Sequence, residues 1–270
     1  MESLPQVLWI GGPPGAGKTT VARRIARRYG VRWYNSDAHT WEHRDRAVRA
    51  GNPAARRFES LMPDARAAEP PEAQLAMSLH AERGPMTVED LRALPPSPLT
   101  IAEGTQVVPG MLPPGSSAVW LMPSDEVQRV RLDGRHGPSK APALYRLLGR
   151  TIAAEVREAG ARTVDVDGLG VEEAIAAVEG AFARRLAEGP RAATAEERRR
   201  LLRYANRAVV AQIKGAFTRP WFTGDPADAV AVFDCECARP DCDALVECVL
   251  ADGPTDDTGP PLLAPGHRAA

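Results

Sequence analysis

The chain has 270 residues, with 34 Lys and Arg against 35 Asp and Glu and a net charge of -1. Such a balance supplies no global attraction to nucleic acid or to an anionic membrane, and no apolar stretch approaches the ~18 residues of a spanning helix. The first strand begins within about six residues, which leaves no room for a signal peptide, so a cytoplasmic protein with no membrane partner is expected.

Gln6–Ile10 is an apolar run of strand length. It leads into Gly12-Pro13-Pro14-Gly15-Ala16-Gly17-Lys18-Thr19-Thr20, which fits G-x-x-x-x-G-K-[ST], the phosphate-binding loop. Val21, Ile25 and Tyr29 follow at helical spacing, which completes the strand–loop–helix context the motif needs. Glycines let the backbone turn its N–H groups toward one anion, and the helix N-terminus adds about half a positive charge. Lys18 is expected to reach the β- and γ-phosphates of a nucleoside triphosphate, and the Thr19 hydroxyl to hold Mg²⁺.

Val31–Tyr34 is the second strand, ending at Asn35-Ser36-Asp37. A carboxylate there can face a γ-phosphate and accept the proton of an attacking hydroxyl, although Asp37 could instead cap a helix starting near Thr40. Trp33, Tyr34 and Trp41 bracket it as pocket or core residues. His39 and His43, four apart, would share a helix face; with no third ligand nearby, they read as a polar face rather than a metal site. A polar, helical stretch follows over 42–94, with helices expected near 53–67, 71–83 and 87–94, the last capped by Thr87 and Asp90.

Leu99–Ala102 is the third strand, closing at Glu103-Gly104, where a carboxylate can orient Mg²⁺ or the acceptor. Ala118–Met122 is the fourth, followed by a helix capped by Ser124. Arg129, Arg131 and Arg135 lie in a Gly/Pro-punctuated run reaching Ser139 and Lys140; Arg131 or Arg135 is the expected lid arginine over the transferring group. A helix over 142–159, a fifth strand at Thr163–Val166 and a helix over 171–187 complete this part. The alternation predicts an α/β fold of P-loop NTPase type, a parallel sheet with helices on both faces, over residues 1–187. Ligands of such sheets bind at the carboxyl ends of the strands, where Asp37, Glu103 and the loop converge.

The tail reads differently. Residues 188–230 form a helical linker, with one arginine-rich amphipathic helix over Glu196–Gly215, and 231–270 a Cys-rich module. Cys235-x-Cys237-x₄-Cys242-x₅-Cys248 places four cysteines within 14 residues, which argues for structural Zn²⁺ over disulfides, with His267 a further candidate ligand.

The first ~187 residues resemble the small P-loop kinases of the nucleoside, shikimate, gluconate and antibiotic phosphotransferase type. The resemblance rests on the loop with Lys18-Thr19-Thr20, on Ser36-Asp37, on Ile101-Ala102-Glu103-Gly104-Thr105 followed by Pro109, on Val119–Pro123 with arginines downstream, and on Val164–Gly168. It implies ATP and Mg²⁺, and it places Asp167 and Gly168 beside the adenine. The long 42–94 segment departs from the pattern and is expected to bind the acceptor or form a lid. The tail resembles a small module of actinobacterial proteins, through Asn206, Phe233-Asp234-Cys235-Glu236-Cys237, Cys242 and Pro265-Gly266-His267. That resemblance implies the ligands Cys235, Cys237, Cys242 and His267, with Cys248 as the alternative to His267 because the stretch before Pro265 is shortened.

The expected function is an ATP- and Mg²⁺-dependent kinase acting on a hydroxyl of a small molecule. Lys18, Asp37, Glu103, Arg131 and Arg135 are its catalytic candidates. The alternative is a nucleotide-hydrolysing switch whose zinc module binds a partner protein or nucleic acid; the neutral charge weighs against nucleic acid.

Overall fold

A computed structural model describes residue 4 and residues 6–138 and 141–269. Ser139 and Lys140, at the end of the expected lid run, lie outside the described residues.

Five strands form a parallel sheet: β1 (Val7–Gly11), β2 (Arg32–Asn35), β3 (Thr100–Glu103), β4 (Ser117–Met122) and β5 (Thr163–Asp165), in the order β2-β3-β1-β4-β5. β1 is central and buried along its whole length. Its alternate side chains serve two cores. Leu8 and Ile10 join Val21 and Ile25 of α1 (Lys18–Tyr29) and Ile175, Val178 and Phe182 of α9 (Val171–Glu188). Val7 and Trp9 point the other way, to Tyr34, Val88 and Leu91. A two-residue period feeding two helix layers is why β1 reads as an unbroken apolar run.

The segment between β2 and β3 is helical, with boundaries unlike those expected. A 3₁₀ turn (Ser36–His39) leads to α2 (Thr40–Arg49), then α3 (Pro53–Ser60), α4 (Pro63–Ala67), α5 (Pro71–Met77) and α6 (His80–Ala93). The expected 53–67 helix is two helices because Pro63 cannot continue the first and opens the second at N1. The expected break near residues 84–86 lies instead at Leu79, whose φ of 59° ends α5 and starts α6. Thr87 is therefore no cap: it is buried inside α6. Asp90 serves a different purpose, accepting from Tyr34 Oη at 2.6 Å and Arg46 Nη1 and lying 2.7 Å from His43 Nε2. His43 is accordingly fully buried, which corrects the polar-face reading, and His39 stacks on Tyr34 at 4.5 Å.

Beyond β4, α7 (Asp125–His136) starts at a Ser124 cap, and α8 (Ala143–Glu158) packs Leu148, Ile152 and Val156 against Trp120. The tail contains α10 (Ala195–Phe217), opened by a Thr194–Glu197 capping box, and an antiparallel hairpin of β6 (Val230–Asp234) and β7 (Leu245–Val249). α10 packs along β2 at the sheet edge and against the 3₁₀ turn that carries Asp37. No described helix is long and apolar enough to cross a membrane.

Candidate active site

The loop between β1 and α1 is shaped by close backbone approach. Gly12 has φ 134°, and a Cβ there would lie 2.3 Å from the Leu121 carbonyl oxygen. Gly17, at φ 91°, opens α1 with no side-chain cap and no acidic residue in the first turn. The positive end of α1 is thus left uncompensated, which is the arrangement that receives an anion. Lys18 is 7% exposed, and its Nζ folds back to donate to Pro13 O at 2.9 Å. Burial lowers its pKa, with Glu103 and Asp37 pulling the other way.

Glu103 ends β3 and is 1% exposed. Its Oε1 accepts from Thr19 Oγ1 at 3.1 Å, while Oε2 is buried with no hydrogen-bond partner. Burial, and then the Asp37 charge, push its carboxyl up to about 7 despite Lys18 and Thr19. An orphaned buried carboxylate oxygen beside a threonine hydroxyl is a hard-oxygen donor set, which suits Mg²⁺. Gly104 follows; a Cβ there would lie 1.9 Å from Ser36 Oγ, so only glycine lets the turn after β2 seat against the end of β3.

That turn presents Asp37. Its backbone N–H donates to Asn35 Oδ1, which caps the 3₁₀ turn, while α2 starts without a side-chain cap, so Asp37 is no cap and its carboxylate is exposed toward the cleft. Opposite stands Arg83 of α6, a residue the sequence reading passed over. It is buried, its Nη2 donates to Ser36 O at 2.6 Å and lies 3.9 Å from Asp37 Oδ1, and its Nε donates to His43 Nδ1 at 3.4 Å. The sequence signal was available only as an arginine in a helix with no obvious exposed face. The cleft holds ≈ 300 Å³, and its walls include Lys18, Thr19, Asp37, Arg83, Gln106 and Arg135.

The three candidate arginines sit on α7, a regular helix rather than a loop, and they separate by role. Arg135 borders both the cleft and a neighbouring cavity under the loop. Arg131 donates to the Gly15 and Val166 carbonyls at 3.3 and 3.2 Å, and so ties the loop to the end of β5. Arg129 pairs with Asp133 and lines neither cavity. The cavity under the loop is walled by Thr20, Val166, Leu169 and Gly170. Asp167 is nearby but accepts from the Ser124 N–H at 2.9 Å, and neither it nor Gly168 lines that wall.

The glycine-rich loop thus follows the central strand of a parallel sheet of order β2-β3-β1-β4-β5. Solved structures of similar fold include the shikimate kinase of Acinetobacter baumannii in complex with shikimate (20% identity, 68% of this chain and 97% of that one, TM-score 0.43). A gluconokinase from Sinorhizobium meliloti 1021 is also similar (20% identity, 68% and 95%, TM-score 0.44), as is a sugar kinase from Janibacter sp. HTCC2649 (19%, 68% and 97%, TM-score 0.39). No family model matches the chain. No curated protein matches it either.

In the tail, Cys235, Cys237, Cys242 and His267 gather, with their ligand atoms within 4.8 Å of one another. His267 Nδ1 lies 3.4 Å from Cys235 Sγ and 3.6 Å from Cys242 Sγ. Cys248 is on β7, packed with the α10–hairpin core and outside this cluster, so the geometry favours His267 as the fourth donor. Three sulfurs and one imidazole nitrogen suit Zn²⁺. Arg27 of α1 adds to the fit. Its Nη2 donates to Cys235 O at 2.7 Å and to Cys237 Sγ at 3.4 Å, opposing the single negative charge that three thiolates leave on a divalent ion.

His80 gives a measurable consequence of the cleft. Burial first, then Arg83, hold its ring neutral, with the pKa lowered to about 4 from 6.5, and its Nε2 is buried without a partner. The unfolded chain therefore binds a proton near pH 6.5 that the folded chain refuses until about 4. Stability should rise with pH across this window, by up to roughly 2–3 kcal/mol. His80→Gln should flatten the difference between urea melts at pH 7 and pH 5; an unchanged pH slope would show that His80 is not the source.

Proposed function

We propose that the chain is an ATP- and Mg²⁺-dependent kinase that phosphorylates a hydroxyl group of a small molecule. The carrying observation is the convergence, in one cleft, of the Lys18 loop, Thr19 with Glu103 bonded behind it, and the Asp37 carboxylate. The loop N–H groups and Lys18 hold the β- and γ-phosphates, and Thr19 with Glu103 holds Mg²⁺. When bound, that ion neutralises charge on the phosphate oxygens. Asp37 orients the acceptor hydroxyl and takes its proton as the oxygen accepts the phosphoryl group, with ADP leaving. Arg135, which borders the cleft, would meet the charge of the transferring group, and Arg131 keeps the loop in place through its carbonyls. Residues 1–187 form the kinase unit, with 188–230 a helical linker and 231–270 a zinc module in this reading.

A hydrolytic switch needs a water site but no second chamber. Here the cleft opens beside a further cavity of ≈ 360 Å³, with Ser78, Arg83, Leu144 and Tyr145 common to both walls. This favours an acceptor-using enzyme. The test is acceptor-dependent ADP release from Mg-ATP across hydroxylated metabolites, with phosphorylated product identified by mass. Lys18→Ala should lower turnover by about 10²–10³-fold. ADP release with no acceptor dependence and no phosphorylated product would overturn the reading.

A further inference from the structure

Cys235, Cys237 and Cys242 lie in the loop between β6 and β7, and one face of α1 clasps that loop. Arg23 donates to Asp234 Oδ1 at 2.5 Å and to Asp243 O at 3.3 Å, and Arg24 donates to Asp243 Oδ2 at 2.9 Å. Arg27, one turn on from Arg23, aims its whole fork at the same loop. Its Nε donates to Arg239 O at 3.0 Å and its Nη2 to Cys235 O at 2.7 Å and Cys237 Sγ at 3.4 Å, while Nη1 lies 3.8 Å from Asp234 Oδ1. Residues i and i+4 share a helix face, so α1 presents both guanidinium groups together.

The buried charges around the cysteines fail to cancel by one. Arg23, Arg27 and Arg203 bring three positive charges, and Asp234 and Glu236 bring two negative ones. None of these five side chains is more than 17% exposed. The exposed neighbours pair among themselves, Arg24 with Asp243 and Arg239 with Asp241. Arg198 is half-buried and donates to the Arg27 carbonyl, at the negative end of α1. An excess buried cation is costly unless a partner offsets it. Three thiolates and a neutral imidazole on a divalent ion carry one negative charge. That charge closes the difference. A fourth thiolate overshoots it, and a Cys₂His₂ set leaves the excess standing.

We propose that α1 supplies the outer sphere of the tail's metal site, with Arg27 as its positioning residue: it offsets the residual charge of a dication held by three thiolates and donates to Cys237 Sγ. The metal site is then assembled across both parts of the chain, and its occupancy is linked to the docking of the tail on α1. Outer-sphere donors orient ligating groups and tune the metal in this way. The proposal stands apart from the kinase reading, since none of its contacts involves the cleft.

The test uses the full chain as wild type, Arg27→Met, Arg27→Lys and Arg28→Met. Arg28 is the control, on the same helix but 42% exposed and paired with Glu172 and Glu179. Zn²⁺ affinity is read by competition with a chromophoric chelator. The sulfur environment is read from the thiolate-to-metal charge-transfer band of the Co²⁺-loaded chain, which a merely structural role leaves in place. Arg27→Met should weaken Zn²⁺ binding by roughly 10–100-fold. It should also move the band to longer wavelength, because a sulfur that loses an N–H···S bond gives up charge at lower energy. Arg27→Lys, which keeps the charge, should bind Zn²⁺ more tightly than Arg27→Met, and Arg28→Met should match the wild type in both readouts. Should Arg27→Met not fold, dicarbonyl modification of wild-type arginines, mapped by mass spectrometry, decides. Arg27 should be protected with zinc bound and modified after chelation, with Arg28 modified in both states. A wild-type band position in a folded Arg27→Met, an equal loss of affinity in Arg28→Met, or Arg27 equally protected before and after chelation overturns the proposal. So does a wild type that binds no Zn²⁺.

Discussion

Asparagine in place of Asp37 should lower the turnover number by roughly 10²–10⁴-fold while leaving nucleotide affinity unchanged. The expectation follows from how the carboxylate is held. Its side chain is 61% exposed toward the cleft, and its nearest cation is Arg83 at 3.9 Å. The turn itself is secured by other groups, with Asn35 accepting from the Asp37 N–H and Thr40 Oγ1 donating to the Asp37 carbonyl. Asparagine keeps the shape and the turn and removes the proton acceptor together with its charge. Single-turnover phosphoryl transfer, read beside calorimetry with the ATP analogue, separates the two effects. Glu103→Gln makes a contrasting case, since Glu103 is buried against Thr19 and its loss should weaken Mg²⁺-dependent nucleotide binding. A variant at Asp37 with full turnover would remove it as the base.

Stripping metal from the tail should have the second large effect, on structure before chemistry. The cluster around Cys235, Cys237, Cys242 and Ala264 has little apolar content of its own. Outward residues of the hairpin, Val230, Val232 and Leu245, are exposed. A structural zinc contributes on the order of 10–16 kcal/mol in segments of this kind, so its removal should unfold residues 231–270. The effect should then travel. Glu236 is buried and accepts from Arg203 and Asn206 of α10, and Asn206 also brackets Asp234. Unfolding leaves Arg203 without its carboxylate and α10 without its anchor. α10 in turn supports the second cavity, where Gln212 Oε1 accepts from the Trp41 N–H at 3.2 Å and Gly215 lets Trp41 approach. Chelation should therefore raise the acceptor KM more than the nucleotide KM. Elemental analysis should find one zinc per chain, lost in Cys235→Ser and retained in Cys248→Ser. Retention in Cys235→Ser, or no change in proteolytic sensitivity of 231–270 on chelation, would contradict the assignment.

Much of the core was legible because its signals are local. The loop from Gly12 to Thr20 is contiguous, and the strands that deliver Asp37 and Glu103 are apolar runs ending in polar residues. The helices between β2 and β3 were less legible. Their breaks depend on Pro63, whose role was missed, and on the positive φ of Leu79, which no residue type announces. Thr87 and Asp90 satisfied a capping pattern by spacing alone, whereas tertiary packing drew Asp90 into a network with Tyr34, His43 and Arg46. The hairpin of β6 and β7 was also unseen, since cysteines and turn residues mask the alternation along it.

Sequence alone determined the glycine-rich loop, the parallel sheet and the four cysteines and His267 as metal-ligand candidates, because each is written in neighbours along the chain or in residue types with few other uses; the fold gathered His267, not Cys248, with Cys235, Cys237 and Cys242. Tertiary structure decided which arginine does what. Arg131 ties the loop to β5, Arg135 borders the cleft, Arg83 faces Asp37 and Arg44 is buried with donors unspent. A guanidinium at the end of a long side chain takes its role from the groups that surround it. Those groups come from helices far apart in the chain, and only the fold brings them together.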